Sequence, residues 1–172
     1  MKMKTNRLTF SALLISVMLV LGYIESMIPM PGVPGMKIGL SNAVLMLALY
    51  WLGAADAFIL MGAKVLLSGL LFGGVSAMMY SFAGGLASML VMTLLVYLIP
   101  KFSPIGVGVA GAVMHNVGQV ALAMLILQTT GLAYYLALLL LAAVATGTAT
   151  GVLTGLLMKR IPAAVRDEVK KR

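Results

Sequence analysis

The sequence predicts an all-α membrane protein in which six transmembrane helices form one domain over residues 1–172. Two observations of composition support this fold class. Of the 172 residues, 62% are hydrophobic and only 9% are charged, whereas soluble domains average about 25% charged residues. The apolar residues also fall into six segments, which approach the roughly 20 residues that a membrane-spanning helix needs. Only short turns and tails remain between them, so no second domain is expected.

The basic residues supply a third observation, which concerns orientation. Ten of the twelve Lys and Arg residues fall in the tails and in the turn between the fourth and fifth segments: Lys2, Lys4, Arg7, Lys101, Lys159, Arg160, Arg166, Lys170, Lys171 and Arg172. Short segments rich in Lys and Arg stay on the cytoplasmic side. Both termini are therefore predicted to be cytoplasmic, in the cell (inner) membrane, and the number of spans is predicted to be even. A four-span topology is the alternative. Lys37 and Lys64 are the exceptions to this pattern, which makes them candidate functional residues.

The first half of the chain is predicted to hold three spans. Residues 8–28 follow basic residues but lack a clean small-x-small cleavage site, so we interpret them as an uncleaved span rather than a signal peptide. The loop over residues 29–35 is rich in Pro and Gly, which end the helix. Spans over residues 38–52 and 57–72 come next. Both are short for a hydrocarbon core of about 30 Å, and a partly re-entrant pair is the alternative for them.

The second half is predicted to hold longer spans over residues 76–99, 105–127 and 132–158, followed by a basic cytoplasmic tail over residues 159–172. Turns that contain Pro or Gly separate the spans. Small residues at every fourth position flatten one face of a helix and let another backbone approach closely. The sixth span has this spacing at Gly147, Gly151 and Gly155.

Lys64 falls near the middle of the third predicted span. An ammonium at that depth costs about 2.5–3.5 kcal/mol on insertion scales. It therefore requires a water-filled cavity, a counter-charge or an anionic ligand. A ligand-binding lysine is the functional interpretation. The alternatives are a structural pair with Glu25, at the outer end of the first span, and a position at the membrane interface.

Further polar residues lie on the second and fifth spans. His115 and Gln119 are four residues apart and share one helical face, with Asn116 beside it. These three side chains either line a polar cavity or make hydrogen bonds between helices. Asn42 and Lys37 lie near the Pro/Gly loop. They either line the mouth of an outward-facing cavity that the loop covers, or belong to an ordinary interfacial turn.

Several chemistries are not expected of this chain. It has no Gly-x4-Gly-Lys-Ser/Thr phosphate-binding motif. Asp56 and Asp167, its two aspartates, are far apart in the sequence and do not form the clustered aspartates of a prenyl diphosphate synthase. One His and no Cys argue against a zinc site, and no acid is placed to orient His115 in a Ser-His-acid set. The net charge of +8 lies where anionic lipid attracts it, so nucleic-acid binding is not expected. We therefore expect no catalytic residues, metal or cofactor, and no enzymatic activity.

Two segments carry a resemblance to a known family. One contains Lys37-Ile38-Gly39-Leu40-Ser41-Asn42, and the other contains His115-Asn116-Val117-Gly118-Gln119. Together they resemble the bacterial membrane family called heptaprenyl diphosphate synthase component I, or the Gx transporter family, and the resemblance covers nearly the whole chain. This family is similar in architecture to the substrate-binding S components of energy-coupling factor transporters, which are six-helix vitamin binders.

The resemblance implies an S-component-like bundle whose ligand reaches it from outside, beneath the loop that joins spans one and two. It also implies that a small-residue face of span one, with Ala12 and Ser16, contacts an energy-coupling membrane subunit that works with an ATPase pair. The functional hypothesis is uptake of a small anionic or amphipathic molecule, such as an isoprenoid- or quinone-related precursor. A membrane accessory subunit that docks a soluble prenyl synthase is the second hypothesis. A proton-coupled carrier with His115 as its relay is a weaker third.

Overall fold

The computed structural model describes residues 2–27, 39–99, 101–162, 165 and 167, with side chains from residue 7 onward. All regular secondary structure among these residues is helical, and short turns separate the helices. The elements are α1 (Lys2–Met27), α2 (Leu40–Trp51), α3 (Ala54–Ser68), a π-helical segment (Gly69–Gly73), α4 (Gly74–Leu98), α5 (Pro104–Leu127) and α6 (Leu132–Arg160). Ser103 caps α5 by accepting a hydrogen bond from the backbone N–H of Gly106, and Pro104 occupies the first turn, where no N–H is needed.

Four helices of the described chain are long and apolar enough to cross a membrane: Arg7–Met27, Ala54–Leu98, Pro104–Leu127 and Leu132–Arg160. Length and composition therefore identify four candidate spans and do not establish the six that were predicted. One reason is that α2 has only 12 residues, which rise about 18 Å. The other is that α3, the π-helical segment and α4 follow one another without a non-helical residue. The chain nevertheless changes direction there, since Gly74 has a φ of 74° and α3 packs against α4.

Helix α2 forms the centre of the bundle. It packs against α1, α3, α4 and α6, and nearly all of its residues are buried. A helix that is apolar on all sides needs neighbours on all sides, which explains why so short a helix is stable here. Met46 and Leu49 of α2 join Met18 of α1 and Met89 of α4 in a core that is almost fully shielded.

Helices α4, α5 and α6 pack side by side through glycines. A Cβ atom built on Gly147 of α6 would lie 2.6 Å from the Cα of Val109 in α5, and the backbone of Ile105 approaches Gly151 still more closely. The third glycine of the predicted stripe, Gly155, has no neighbour within 4 Å. The stripe therefore serves close helix packing at two of its three positions.

One end of the bundle gathers basic residues, and we call it the basic end: Arg7, Lys101, Lys159 and Arg160. Arg7 Nε donates to Asp56 Oδ2 over 2.7 Å, and its Nη2 donates to the carbonyl of Leu52 over 2.9 Å. These bonds join α1 to the junction between α2 and α3. The ring of Phe10 stacks on that of Trp51 at a centroid distance of 6.1 Å. The interior is closed at this end.

Candidate functional site

A cavity lies around and beyond the N-terminal turns of α2. Thr150 and Thr154 of α6 donate hydrogen bonds to the carbonyls of Gly39 (3.3 Å) and Ala43 (3.1 Å). Thr150 lies roughly 15 Å along α6 from its last residue, at 1.5 Å per residue, so α2 begins well inside the bundle. Beyond its first turn lies a cavity of about 130 Å³. It lies away from the basic end.

All six α-helices contribute to the cavity, together with the π-helical segment. Its wall is rich in polar side chains for a bundle of this composition. They are Glu25, Ser41, Asn42, Lys64, Ser68, Ser81, Ser88, His115, Asn116, Gln119, Thr146 and Thr150. Polar groups in a membrane bundle usually face its interior or a water-filled cavity because lipid cannot solvate them. The cavity can therefore hold water or a polar molecule.

The structure brings six of the predicted site residues into this one cavity: Glu25, Asn42, Lys64, His115, Asn116 and Gln119. Their role in binding remains a prediction. Lys37 and the predicted lid over residues 29–35 lie outside the residues that the structure describes. Gly39, which follows that segment, lines the cavity.

Lys64 reaches the cavity from α3. Its Nζ donates a hydrogen bond to Oδ1 of Asn42, in the first turn of α2, over 2.7 Å. The ammonium thus lies inside the bundle and not in lipid, as the functional interpretation requires. Because Glu25 lines the same cavity, a structural role in which the two charges compensate each other stays open beside a ligand-binding role.

Glu25 caps the start of α2. It is buried, with 5% of its surface exposed. Its Oε1 accepts a hydrogen bond from the backbone N–H of Leu40 (2.6 Å), and its Oε2 accepts one from the hydroxyl of Ser41 (3.4 Å). A carboxylate is favourable here because the first N–H groups of a helix lack internal partners and the helix dipole attracts negative charge. Gly39 supplies no side-chain cap and adopts φ 87°, which glycine tolerates.

The polar group on α5 has both of its predicted roles. Asn116 lines the cavity and also donates from Nδ2 to the carbonyl of Leu139 in α6 over 3.0 Å. His115 and Gln119 lie where α4 comes very close. A Cβ atom on Gly84 would lie 2.7 Å from Gln119 Cγ and 3.1 Å from His115 Cε1. Gly84 therefore leaves the space that both side chains occupy beside the cavity.

Sequence reasoning missed the hydroxyl groups of the wall and the capping role of Glu25. The missed hydroxyls are Ser41, Ser68, Ser81, Ser88, Thr146 and Thr150. Ser and Thr are common in membrane helices, where they bond to the backbone or pack at helix contacts, so one of them alone is a weak signal. Their recurrence on several helices at similar depth was the available clue. In the described part of the chain, no three His, Cys, Asp or Glu residues lie close enough to hold a metal ion.

The predicted partner face on α1 is exposed. Ala12 and Ser16 both lie on the surface, and the Ser16 hydroxyl donates back to the carbonyl of Ala12 over 2.9 Å. Ala12 also lines a shallow groove between α1 and α3, with Ile15, Ile59 and Leu60. The accessibility of this face agrees with a docking role, which remains a prediction.

The comparisons with known proteins identify one family. The family model described as heptaprenyl diphosphate synthase component I matches residues 14–157. No curated protein and no solved structure matches the chain. The matched range runs from α1 to α6 and contains every polar residue of the cavity wall.

Proposed function

The chain belongs to the heptaprenyl diphosphate synthase component I family, whose name points to prenyl synthesis and to a partner subunit, and from this premise we propose that it is a substrate-binding membrane subunit for uptake. Its ligand is a small polar molecule with an anionic group, isoprenoid- or quinone-related in view of the family name. The membrane character of the chain follows from its four apolar helices. In the proposed topology six spans form an S-component-like bundle in the cell membrane, with both termini cytoplasmic.

The observation that carries this proposal is the polar cavity inside an otherwise apolar bundle. A lysine and a glutamate line its wall together with amides and hydroxyls, so that every α-helix contributes at least one polar side chain. A charged side chain at the bilayer centre costs about 2.5–3.5 kcal/mol on insertion scales and about 10–17 kcal/mol in simulations of an isolated helix. A bundle that needed only stability would fill this volume with apolar side chains, as the half around α2 does. The polar wall is instead expected where a ligand is bound.

The predicted cavity residues other than Glu25 have the following roles in this proposal. Lys64 meets the anionic group, for which it must exchange or share its hydrogen bond to Asn42. His115 and Gln119 supply hydrogen bonds from α5, while Asn116 also ties α5 to α6. The proposal assigns the mouth and the lid to Lys37 and the loop over residues 29–35, which lie outside the residues that the structure describes. If both termini are cytoplasmic, the cavity faces the outside, because it lies away from the basic end.

The sequence contains no phosphate-binding motif of an ATPase. Concentrative uptake therefore requires an energy source from elsewhere. We propose that an energy-coupling membrane subunit, served by an ATPase pair, docks on the exposed face of α1 that includes Ala12 and Ser16. Anionic membrane lipid is the other partner, attracted by the basic residues of the tails.

A second candidate function follows directly from the family name. The words "component I" describe one part of a synthase, and a membrane subunit that docks a soluble prenyl synthase near its lipid product would fit them. In either case we propose that this chain is not itself the enzyme, because its two aspartates are far apart in sequence. Such a docking subunit has no need of the polar cavity, which is why uptake is the first proposal.

Two experiments test the proposal. The first measures equilibrium binding of isoprenoid- and quinone-related anions to the protein in lipid nanodiscs, for wild type, Lys64→Gln and the matched surface variant Lys101→Gln. We expect Lys64→Gln to weaken binding by about tenfold or more, since a charge-assisted hydrogen bond contributes about 1.5–3 kcal/mol. Lys101→Gln should bind as wild type does, and equal affinity of all three proteins would remove Lys64 from the site.

The second experiment identifies the proteins that co-purify with the tagged chain from gently solubilised native membranes. A coupling membrane subunit with an ATPase pair supports uptake. A soluble prenyl synthase in a stoichiometric complex, with no coupling membrane subunit and no ATPase pair, would favour the accessory function instead.

A further inference from the structure

We infer that the ligand is a small zwitterion, with one anionic and one cationic group, and not a diphosphate. The inference rests on the uptake function proposed above, and for the same cavity it replaces the isoprenoid- and quinone-related anions with a different substrate class. Its starting point is the charge of the wall. Among the described lining residues, Glu25 and Lys64 are the acid and the strong base, and His115 is the other ionisable side chain. With a neutral imidazole, this part of the wall carries one charge of each sign.

The two charged side chains also bond to the same turn of α2. Glu25 bonds to Leu40 and Ser41, and Lys64 bonds to Asn42. These three partners are consecutive residues in the first turn of α2, whose neighbouring Cα atoms are about 3.8 Å apart. The carboxylate from α1 and the ammonium from α3 therefore both contact the first turn of α2, and both line the same cavity.

The electrostatics of such a site disfavour a polyanion. In a poorly solvated cavity, charges that lack a nearby partner are costly, and like charges repel strongly. A diphosphate would bring at least two negative charges to one ammonium and would lie near the Glu25 carboxylate. A zwitterion places its anionic group at Lys64 and its cationic group at Glu25, so that each charge has a partner of opposite sign.

The remaining polarity of the wall agrees with this ligand class. An ionised carboxylate has about four acceptor positions, and Glu25 accepts hydrogen bonds from one backbone N–H and one hydroxyl. It can accept another donor without releasing α2. The amides and hydroxyls around it favour a molecule with several hydrogen-bonding groups. A long apolar prenyl chain would leave these groups without partners.

The test compares probes of matched length and different charge on the intact protein in nanodiscs. The zwitterions are the ω-amino acids from glycine to 6-aminohexanoate. The matched monoanions and monocations are the alkanoates and alkylamines of the same lengths. Inorganic diphosphate and dimethylallyl diphosphate represent the polyanions. Isothermal titration calorimetry gives the affinities. We expect at least one ω-amino acid to bind about tenfold or more tightly than its alkanoate, its alkylamine and either diphosphate, as one additional charge pair allows.

Variants assign the two charges. Glu25→Gln keeps the shape of the side chain and should reduce the affinity for the zwitterion about tenfold, while the affinity for the matched alkanoate stays equal or rises. Lys64→Gln should reduce the affinity for both. Lys101→Gln, at an exposed turn, is the control and should change neither. Thermal unfolding of each variant shows whether it is folded, and if Glu25→Gln is not, Glu25→Asp replaces it, with an altered preference for ω-amino acid length expected.

The outcomes separate this inference from the proposed function. If a diphosphate or an alkanoate binds more tightly than every ω-amino acid, and Lys64→Gln weakens that binding, the zwitterion inference is wrong and the binding function stands. If diphosphate binds and Lys37→Gln abolishes this binding, the zwitterion inference is also wrong. Lys37 lies outside the residues that the structure describes. If none of the probes binds and a soluble synthase co-purifies, both the inference and the uptake proposal are wrong.

Discussion

The two halves of the bundle are built from the same surrounding helices but have opposite interiors. In the half at the basic end, α2 fills the centre, and Met46 and Leu49 are almost completely buried among apolar neighbours. In the other half, the same neighbours surround a polar cavity. The difference begins at Gly39, where α2 starts. The place where a central helix starts thus decides whether polar residues on the outer helices meet a packed core or an open space.

Glu25 marks the border between the two halves. It holds the N-terminus of α2 and lines the cavity at the same time. A buried helix end without partners for its N–H groups would be unstable, so the cap stabilises the packed half while its carboxylate adds charge to the cavity. Structure and binding are therefore coupled at this residue, whereas the bond from Lys64 to α2 goes to the side chain of Asn42 and not to the helix backbone.

The largest effect is expected from a change that forces helices apart. Gly147→Ala places a methyl group about where the backbone of Val109 already lies, at 2.6 Å. Because backbone atoms cannot move aside without shifting a whole helix, we expect a loss of about 3 kcal/mol in the free energy of unfolding. Reversible unfolding in mixed micelles, with increasing amounts of a denaturing detergent, measures it.

Gly155→Ala is the matched control for this change. It lies on the same helix, at the same spacing, and has no neighbour within 4 Å. Alanine is the better helix former by about 0.5–1 kcal/mol, so this variant should be as stable as wild type or slightly more stable. A similar loss in both variants would show that α5 and α6 do not pack through the Gly147 face.

A pair of leucines on α2 compares the two halves most directly. Leu49 lies in the packed half with 1% of its surface exposed, and Leu45, one turn earlier, is 4% exposed and lines the cavity. Leu49→Ala opens a new apolar void and should cost about 2 kcal/mol, toward the low end for core leucines because lipid solvates apolar groups in the unfolded state too.

Leu45→Ala enlarges a space that is already present and polar, where water can enter. It should therefore cost clearly less than Leu49→Ala in the same unfolding assay. Equal losses would indicate that the cavity closes up in the protein without ligand, and that the halves differ less than their residues suggest.

The packed half was the easier half to predict from the sequence. The apolar segments and the Pro and Gly residues between them locate the helices, since Pro104 and Gly74 lie where α5 and α4 begin. The positions of Lys and Arg in the sequence predict which helix ends lie together at the basic end. The role of α2 does not follow from its length: a span over residues 38–52 was predicted, with a partly re-entrant pair as the alternative, and the 12 residues of the helix do not decide between them. Whether a 12-residue apolar helix crosses a membrane or fills the centre of a bundle depends on its neighbours, and periodicity does not reveal them.

The cavity was predictable only in part. Lys64, His115 and Gln119 stood out because ionisable and amide groups are rare in membrane helices. The bond from Lys64 to Asn42 was not predicted, because it joins two helices whose relative rotation the sequence does not give. The capping of α2 by Glu25 depends on how α1 and α2 lie against each other, which the composition of the sequence does not give.

The smallest effect is expected at the closed end, from the pair of Arg7 and Asp56. Their side chains are 35% and 26% exposed, respectively, so solvent screens much of their attraction. Asp56→Asn should lower the free energy of unfolding by only about 0.5 kcal/mol, measured as before. Its difference from wild type should shrink further as salt is raised from low to physiological concentration, because ions screen exposed charges.

Arg7→Ala should cost more than Asp56→Asn, since Arg7 also donates to the carbonyl of Leu52 at the end of α2. Neither variant should change ligand affinity, because both residues lie at the opposite end of α2 from Glu25 and Lys64. A large change in affinity from either one would contradict the separation of the two halves. It would indicate that α2 moves as a rigid unit and couples its capped N-terminus to the basic end. Ligand binding would then change the structure at the end where a partner could dock.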